Sequence, residues 1–259
     1  GIFLEKDEKA WLLRTADETY QNYFNEDIDF EEFEGKTGSA LSWCELTKSG
    51  QTDVPKLVNL FRKHFKKEGI LNEEAFDYQK VTITDSSVIY KNIEADKIIF
   101  CEGIGAEKNP WFGYLPFKGS KGEVLIVRIP NAEFSRMFKH KIFLVPLSND
   151  LYWTGSFYDR DYETEKPTEN GRKYLEEKLR LALKIPFEII EHKSAVRPTV
   201  KDRRPFLGLH PEFPQLAIFN GLGTKGASLG PYFAKEMTDF LISGKALNRE
   251  VDIKRVRIK

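Results

Sequence analysis

Apolar and polar positions along the chain alternate between a helical and a strand period, and neither is confined to one half. The clearest helical stretch is Val54–Lys67, where Val54, Leu57, Val58, Phe61 and Phe65 share one stripe and Lys56, Arg62, Lys63, Lys66 and Lys67 lie mostly off it. Asp53 is placed to cap this helix, Pro55 suits its first turn and Gly69 ends it. The pattern reads as a solvated basic face over an inward apolar one, with an RNA-binding face as the rival. A second helix is predicted over 170–184, with Leu175, Leu179, Ala182 and Leu183 inward and Pro186 as its stop. A third is predicted to follow Pro231, burying Phe233, Met237, Phe240 and Leu241 and ending at Gly244. Short apolar runs of strand length lie between them: Thr82-Ile83-Thr84, Lys97-Ile98-Ile99-Phe100, Glu123-Val124-Leu125-Ile126-Val127, Ile142-Phe143-Leu144-Val145, Leu151-Tyr152-Trp153-Thr154 and Leu216-Ala217-Ile218-Phe219. Leu147-Ser148-Asn149-Asp150 is predicted to join two of them as an antiparallel hairpin. The acid-rich stretch 25–34 reads as exposed loop or helix surface, and there is no internal repeat or long linker.

Composition narrows the class. The 259 residues are 41% hydrophobic and 31% charged, enough chain and apolar content for a real core, which excludes a disordered or collagen-like chain. Forty basic and forty acidic residues cancel, so no overall field draws the molecule to nucleic acid or anionic lipid. Two distant cysteines, Cys44 and Cys101, and four scattered histidines argue against a disulfide framework or a metal site, and the thiols fit a reducing, cytoplasmic location. No apolar run approaches the roughly 20 residues that span a bilayer. The opening Gly1-Ile2-Phe3-Leu4 has no signal-peptide pattern, and a chain beginning on Gly suggests a tag remnant or a segment of something longer.

Three stretches carry candidate chemistry. Gly221-Leu222-Gly223-Thr224-Lys225-Gly226 matches G-x-G-x-x-G after a strand-like run and before a helix. A dinucleotide-binding unit would need a further parallel strand ending in an acidic residue. Only fifteen residues follow Gly244, with Asp252 in a possible short strand Val251-Asp252-Ile253, so this turn is not read as a pyrophosphate site. It still suits an electron-rich ligand, because closely spaced glycines expose backbone N–H groups and the helix N-terminus favours negative charge. A plain strand-to-helix turn is the alternative. In Ser194-Ala195-Val196-Arg197-Pro198-Thr199, followed by Asp202, Pro205 and Gly208, a strand-borne Arg197 is suited to a bidentate carboxylate contact, or else to an ordinary ion pair. Phe100-Cys101-Glu102-Gly103-Ile104-Gly105 is a strand ending in small residues, as if a ligand passes over the backbone.

In this order the stretches resemble the FAD-dependent oxidoreductases of the D-amino acid oxidase and glycine oxidase superfamily. The resemblance rests on Asp53-Val54-Pro55 leading into a helix and Gly69, and on Asp96 to Gly103 as a strand closed by an Ala-x-Gly-type turn. It rests further on Leu115-Pro116 with Lys121-Gly122-Glu123-Val124-Leu125, on Val196-Arg197-Pro198 with Asp202, Pro205 and Gly208, and on the final strand, glycine turn and Pro231 helix. It covers most of the chain beyond residue 50, and the first fifty residues match only loosely, as the start of a substrate-domain sheet. The family's opening strand, G-x-G-x-x-G turn, helix and Glu-ended strand are not found before Gly1. Trimming of a longer protein is the favoured explanation, and a native protein without that dinucleotide grip is the other.

The resemblance implies an α+β (α/β) fold: a mixed antiparallel substrate-domain sheet with helices, from residues 1–50 and 112–200, and the incomplete remainder of a Rossmann-like FAD-binding domain, from 51–111 and 201–259. It implies FAD as cofactor and a small amino acid or amine as substrate, oxidised at a CH–NH group by hydride transfer. Arg197 would clamp the substrate carboxylate, and Tyr158, just beyond the strand 151–156, would line the pocket. Val81, Gly103 and Gly105 would border the adenine and ribose of FAD. Gly221, Gly223, Thr224, Lys225, Gly226 and Ala227 would line the isoalloxazine. Phe143 stands where glycine oxidases tend to carry Tyr, and Thr224-Lys225 departs from their usual Arg-Asn, so the substrate is left open. No metal or nucleic-acid partner is expected, and a homo-oligomer is left open. The alternative function is a non-catalytic binding module on the same fold without tight FAD, and a third reading is an RNA-linked amine oxidoreductase.

Overall fold

A computed structural model describes residues 1–25 and 27–256. In chain order the elements are α1 (Glu5–Thr15), β1 (Phe24–Asn25), β2 (Glu45–Leu46), α2 (Val54–Lys67), β3 (Val81–Ile83), β4 (Val88–Tyr90), β5 (Ile93–Ala95), β6 (Ile98–Phe100) and β7 (Ser120–Arg128). There follow β8 (Phe138–Lys139), β9 (Phe143–Pro146), β10 (Leu151–Asp159), α3 (Glu169–Ala182), β11 (Glu188–Arg197), β12 (Phe206–Leu209), β13 (Leu216–Asn220) and α4 (Gly226–Ser243). Helices and largely antiparallel sheets are mixed along the chain, an α+β fold. Two compact units result: one from Gly1–Gln51 and Lys121–Ala195, the other from Thr52–Ser120 and the residues from Val196 onward.

The first unit is built on a five-stranded sheet in the order β11-β7-β10-β9-β8. Strand alternation decides its two faces. Leu125 and Val127 of β7, Tyr152 of β10 and Leu144 of β9 join Leu175, Leu179 and Ala182 of α3 in one core, while Val124 and Ile126 lie partly open on the other face. The predicted hairpin joins β9 to β10, and Asn149 and Asp150 both take left-handed backbone angles, which these residue types tolerate. The stretch 25–34 is less exposed than its charge implies. Glu26 lies outside the described residues, but Phe33 is buried in the core, and Glu32 holds Arg136, which also reaches Glu45 at 2.7 Å. Charge dominates the composition there, while one aromatic side chain sets the packing.

A charged group sits at the centre of this unit. Glu123 has no exposed surface, and neither has Lys121, two residues before it on the same face of β7. The Lys121 ammonium lies 2.9 Å from one Glu123 oxygen, and His192 Nε2 on β11 lies 2.9 Å from the other. The Thr168 hydroxyl and backbone N–H, at the N-cap of α3, donate to the same carboxylate at 2.8 and 2.9 Å. The hydroxyl oxygen also accepts from Gly171 N–H, so one residue caps the helix and anchors it to the sheet. Gly171 is required by proximity: a Cβ there would meet Glu123 Oε2 at 2.1 Å. Burial alone would push the Glu123 carboxyl up, but the Thr168 N–H, the lysine and the threonine hydroxyl outweigh it and hold the carboxyl below its ordinary range.

The second unit holds a three-stranded sheet in the order β12-β13-β6, with β13 parallel to β6 and antiparallel to β12, and the separate antiparallel meander β3-β4-β5. Phe100, Phe112, Phe206, Leu216 and Ile218 form one cluster, and Leu207, Ala217, Phe233 and Met237 form another under α4. Helix α4 begins five residues before Pro231, which therefore lies inside it rather than at its start. The preceding Gly230 has no Cβ to clash with the proline ring, so the helix tolerates the break. Gly244 ends it in the left-handed region, as expected. The strand suggested at 251–253 is reduced to a single parallel bridge between Asp252 and Leu207.

Helix α2 has the predicted bounds, and the Asp53 side chain accepts from Lys56 N–H as its cap. Its apolar stripe, however, is not inward: no residue of α2 is buried, and exposures run from 38% at Phe65 to 57% at Val58. Spacing decides which residues share a face but not whether anything covers it, and among the described residues nothing buries this one.

Two outcomes follow from these arrangements. Glu123→Ala, which leaves Lys121 buried without its counter-ion, should cost about 3–5 kcal/mol in denaturant unfolding. Because the folded carboxyl lies below its ordinary 4.5, its contribution is present above that pH and lost as pH falls through the folded value, a loss that Glu123→Gln should not show. The 259-residue chain should bind the dye ANS through α2, and Val58→Lys with Phe61→Lys should reduce that fluorescence while far-UV circular dichroism stays unchanged.

Candidate functional site

Strands β6 and β13 run parallel, so the turns that follow them emerge at the same sheet edge. The first, Glu102 to Gly105, opens a 3-10 turn in which Gly103 has φ +60°. The second is Gly221 to Gly226, where Gly221 has φ +81° and a Cβ would strike Val200 Cγ2 at 2.6 Å. Asn220, buried at the end of β13, donates from Nδ2 to the Gly103 carbonyl at 2.8 Å and accepts from Gly221 N–H at 2.8 Å. Gly103 and Gly221, singled out separately in the sequence, are thus tied together.

The segment after β11 joins the same cluster. Gly223 N–H donates to Pro198 O at 3.2 Å, and Thr199 N–H donates to Arg197 O at 2.8 Å. Arg197 itself ends β11 with its side chain partly buried. Asp202 of the same motif is structural: it accepts from Arg255 Nε at 2.9 Å, and that guanidinium lies 4.5 Å from the Phe206 ring centre. Burial would raise the Asp202 carboxyl, but Arg255 and the Arg204 N–H hold it low.

The Gly103 turn and the start of α4 at Gly226 are open, whereas Gly221 is packed against Val200 and Gly223 against Thr199. A Cβ at Gly103 would meet nothing within 4 Å, and one at Gly226 would meet only Leu222 Cβ at 3.9 Å. Thr224, Lys225 and Ala227 are exposed, and α4 starts at Gly226 without a side-chain cap, leaving first-turn N–H groups to an outside acceptor. This open, positively polarised backbone fits an electron-rich cofactor. Val81 lies at the start of β3, where it packs against the Phe100 cluster. Tyr158 belongs to the first unit. It lies within β10, which continues to Asp159, stands opposite Gly122 of β7 and is 57% exposed. Phe143 stands opposite Gly155 on β9.

Sequence reasoning missed the polar residues that hold the first turn. Glu102 accepts from the Tyr78 hydroxyl and from Asn109 Nδ2 at 2.8 Å, and Asn109 Oδ1 accepts from the N–H groups of Trp111 and Phe112. Burial and the neighbouring Glu102 push the Tyr78 phenol up to about 12. Asn220 was missed as well, and its place immediately before the glycine turn is the signal that could have found it. Among the described residues no cluster of His, Cys, Asp and Glu could hold a metal ion, and no helix is long and apolar enough to cross a membrane.

Two parallel strands whose glycine turns are tied at one edge, the second leading into a helix without a side-chain cap, make an edge suited to an electron-rich cofactor in an α+β protein. The sequence profile of the family described as FAD dependent oxidoreductase matches residues 6–240, and the chain belongs to that family. Its cofactor is FAD. Among solved structures, L-amino acid deaminase from Proteus vulgaris is 14% identical, with 98% of this chain and 71% of that one covered at a TM-score of 0.70. L-proline dehydrogenase from P. horikoshii is 15% identical, covering 76% and 57% with a TM-score of 0.63. Glycine oxidase from Bacillus cereus is 21% identical, covering 68% and 50% with a TM-score of 0.55. These likenesses show the shared fold, and the chain spans about half the length of that glycine oxidase.

The raised phenol gives a checkable consequence. Tyr78→Phe removes one of two donors to Glu102 and should lower stability by about 1–3 kcal/mol. The neutral phenol is the favoured form in the folded protein, so this difference is present below pH 10 and should close as pH rises toward 12, read from denaturant midpoints of both proteins.

Proposed function

We propose that the protein carrying this chain oxidises an amino acid or amine at a CH–NH group. The observation that carries the reading is the meeting of the Gly103 and Gly221 turns, tied by Asn220, beside the uncapped start of α4. When bound, FAD supplies the hydride acceptor. The substrate carbon would give up its hydrogen with two electrons and the nitrogen a proton to water, leaving an imine that water hydrolyses.

In this reading Arg197 holds the substrate carboxylate in a bidentate contact and so orients the reacting carbon. Gly221, Gly223, Thr224, Lys225, Gly226 and Ala227 line the isoalloxazine. Lys225 and the α4 N-terminus favour negative charge at the N1/O2 edge of the ring. Val81, Gly103 and Gly105 border the adenine and ribose. The first unit serves as the substrate domain, with Tyr158 and the apolar Phe143 on the open side of its sheet, and the second as part of the FAD-binding domain.

The test is the visible spectrum of the full-length gene product purified without added cofactor. Flavin bands that bleach on anaerobic addition of an amino acid support the reading. A protein that stays colourless after incubation with FAD overturns it in favour of a non-catalytic module. In an active enzyme, Arg197→Ala should raise KM by about ten- to a hundred-fold with a smaller change in kcat, and unchanged values of both would remove Arg197 from the substrate site.

A further inference from the structure

The parallel ladder between β13 and β6 runs from Leu216↔Ile98 to Ile218↔Phe100. Beyond it the two strands lead into separate turns, and the Asn220 side chain continues the link between them. The residue is only 5% exposed, and its amide donates to Gly103 O and accepts from Gly221 N–H, both at 2.8 Å. The Gly103 carbonyl requires a donor and the Gly221 N–H an acceptor: an ionised carboxylate only accepts, whereas a primary amide meets the two partners with two different atoms, Nδ2 and Oδ1. The Gly103 turn is fixed on its other flank by Glu102, held through Tyr78 and Asn109, and the Gly221 turn by Val200 and Pro198. With both flanks held, the Asn220 amide sets the spacing between the two turns.

We propose that Asn220 is a positioning residue for FAD: by bridging the Gly103 carbonyl and the Gly221 N–H it fixes the separation of the two backbone segments that receive the cofactor. This rests on the reading that both turns face FAD. A residue that only completed the sheet edge would affect folding, whereas a positioning residue affects how tightly, and in what environment, the folded protein holds the flavin.

Asn220→Asp separates the two roles, since it is nearly isosteric. One carboxylate oxygen still accepts from Gly221 N–H, but the other, when ionised, faces the Gly103 carbonyl and cannot donate. Protonated, it can. Titrating the folded full-length apoprotein with FAD and following flavin fluorescence should give a Kd about ten- to a hundred-fold above wild type at pH 8. The Kd should fall back toward the wild-type value as pH is lowered to about 5, where a carboxyl flanked by a carbonyl takes up its proton. The wild type should lack this pH-dependent recovery, and the flavin absorption bands of the variant should shift over the same range. A variant Kd and spectrum equal to wild type throughout would overturn the proposal. If the aspartate variant does not fold, Asn220→Ala, which removes both the donor and the acceptor, gives the same decision through Kd and spectrum at pH 8. Failure of the wild type itself to bind FAD would overturn the cofactor reading and this proposal together. Wild-type binding with an unaffected variant overturns this proposal alone.

Discussion

A carboxylate with no exposed surface must be compensated on every side, and in the first unit that requirement falls on Glu123. Ionised and dry, it needs a nearby cation and donors for its remaining lone pairs. Lys121 on β7 is the cation, Thr168 at the cap of α3 donates through its hydroxyl and its N–H, and His192 of β11 lies against the second oxygen. The arrangement determines more than charge. It fixes where α3 starts, requires a residue without a Cβ at Gly171, and brings the helix end against the sheet so that Leu175 and Leu179 reach the core. Hydrophobic contact would hold α3 somewhere on this face, but the directional bonds to Glu123 select the register.

The second unit depends on a smaller polar group with a similar logic. Parallel strands carry their turns to a common edge, and there the backbone has groups that the ladder does not satisfy. Asn220 satisfies one from each turn. Around it, left-handed angles at Gly103 and Gly221 leave one turn open to solvent and the other closely packed on Val200. The open Gly103 backbone and the uncapped, exposed start of α4 together are a means of holding an electron-rich cofactor without committing many charged side chains. That economy agrees with a site whose chemistry belongs to the cofactor and whose protein part supplies orientation.

The elements were largely legible because their signals are local. The bounds and cap of α2 follow from Asp53, Pro55 and a 3.6-residue stripe, and α3 is recovered within two residues at each end. The β9–β10 hairpin follows from Asn149-Asp150 between two apolar runs. The start of α4 was misread because Pro231 is a strong start signal, and the tolerance conferred by Gly230 depends on its geometry. The family was legible in the order of small motifs, which record where a backbone must approach a ligand.

The sequence by itself determined the periods of the chain, the turns that need glycine and the family those turns belong to, since each is written in residues close together. Only the tertiary structure decided that Glu123 is buried, that Asn220 joins residues 117 and one positions away, that Asp202 serves Arg255, and that the stripe of α2 stays exposed. Burial and pairing depend on what arrives from distant parts of the chain, and local spacing carries no record of that.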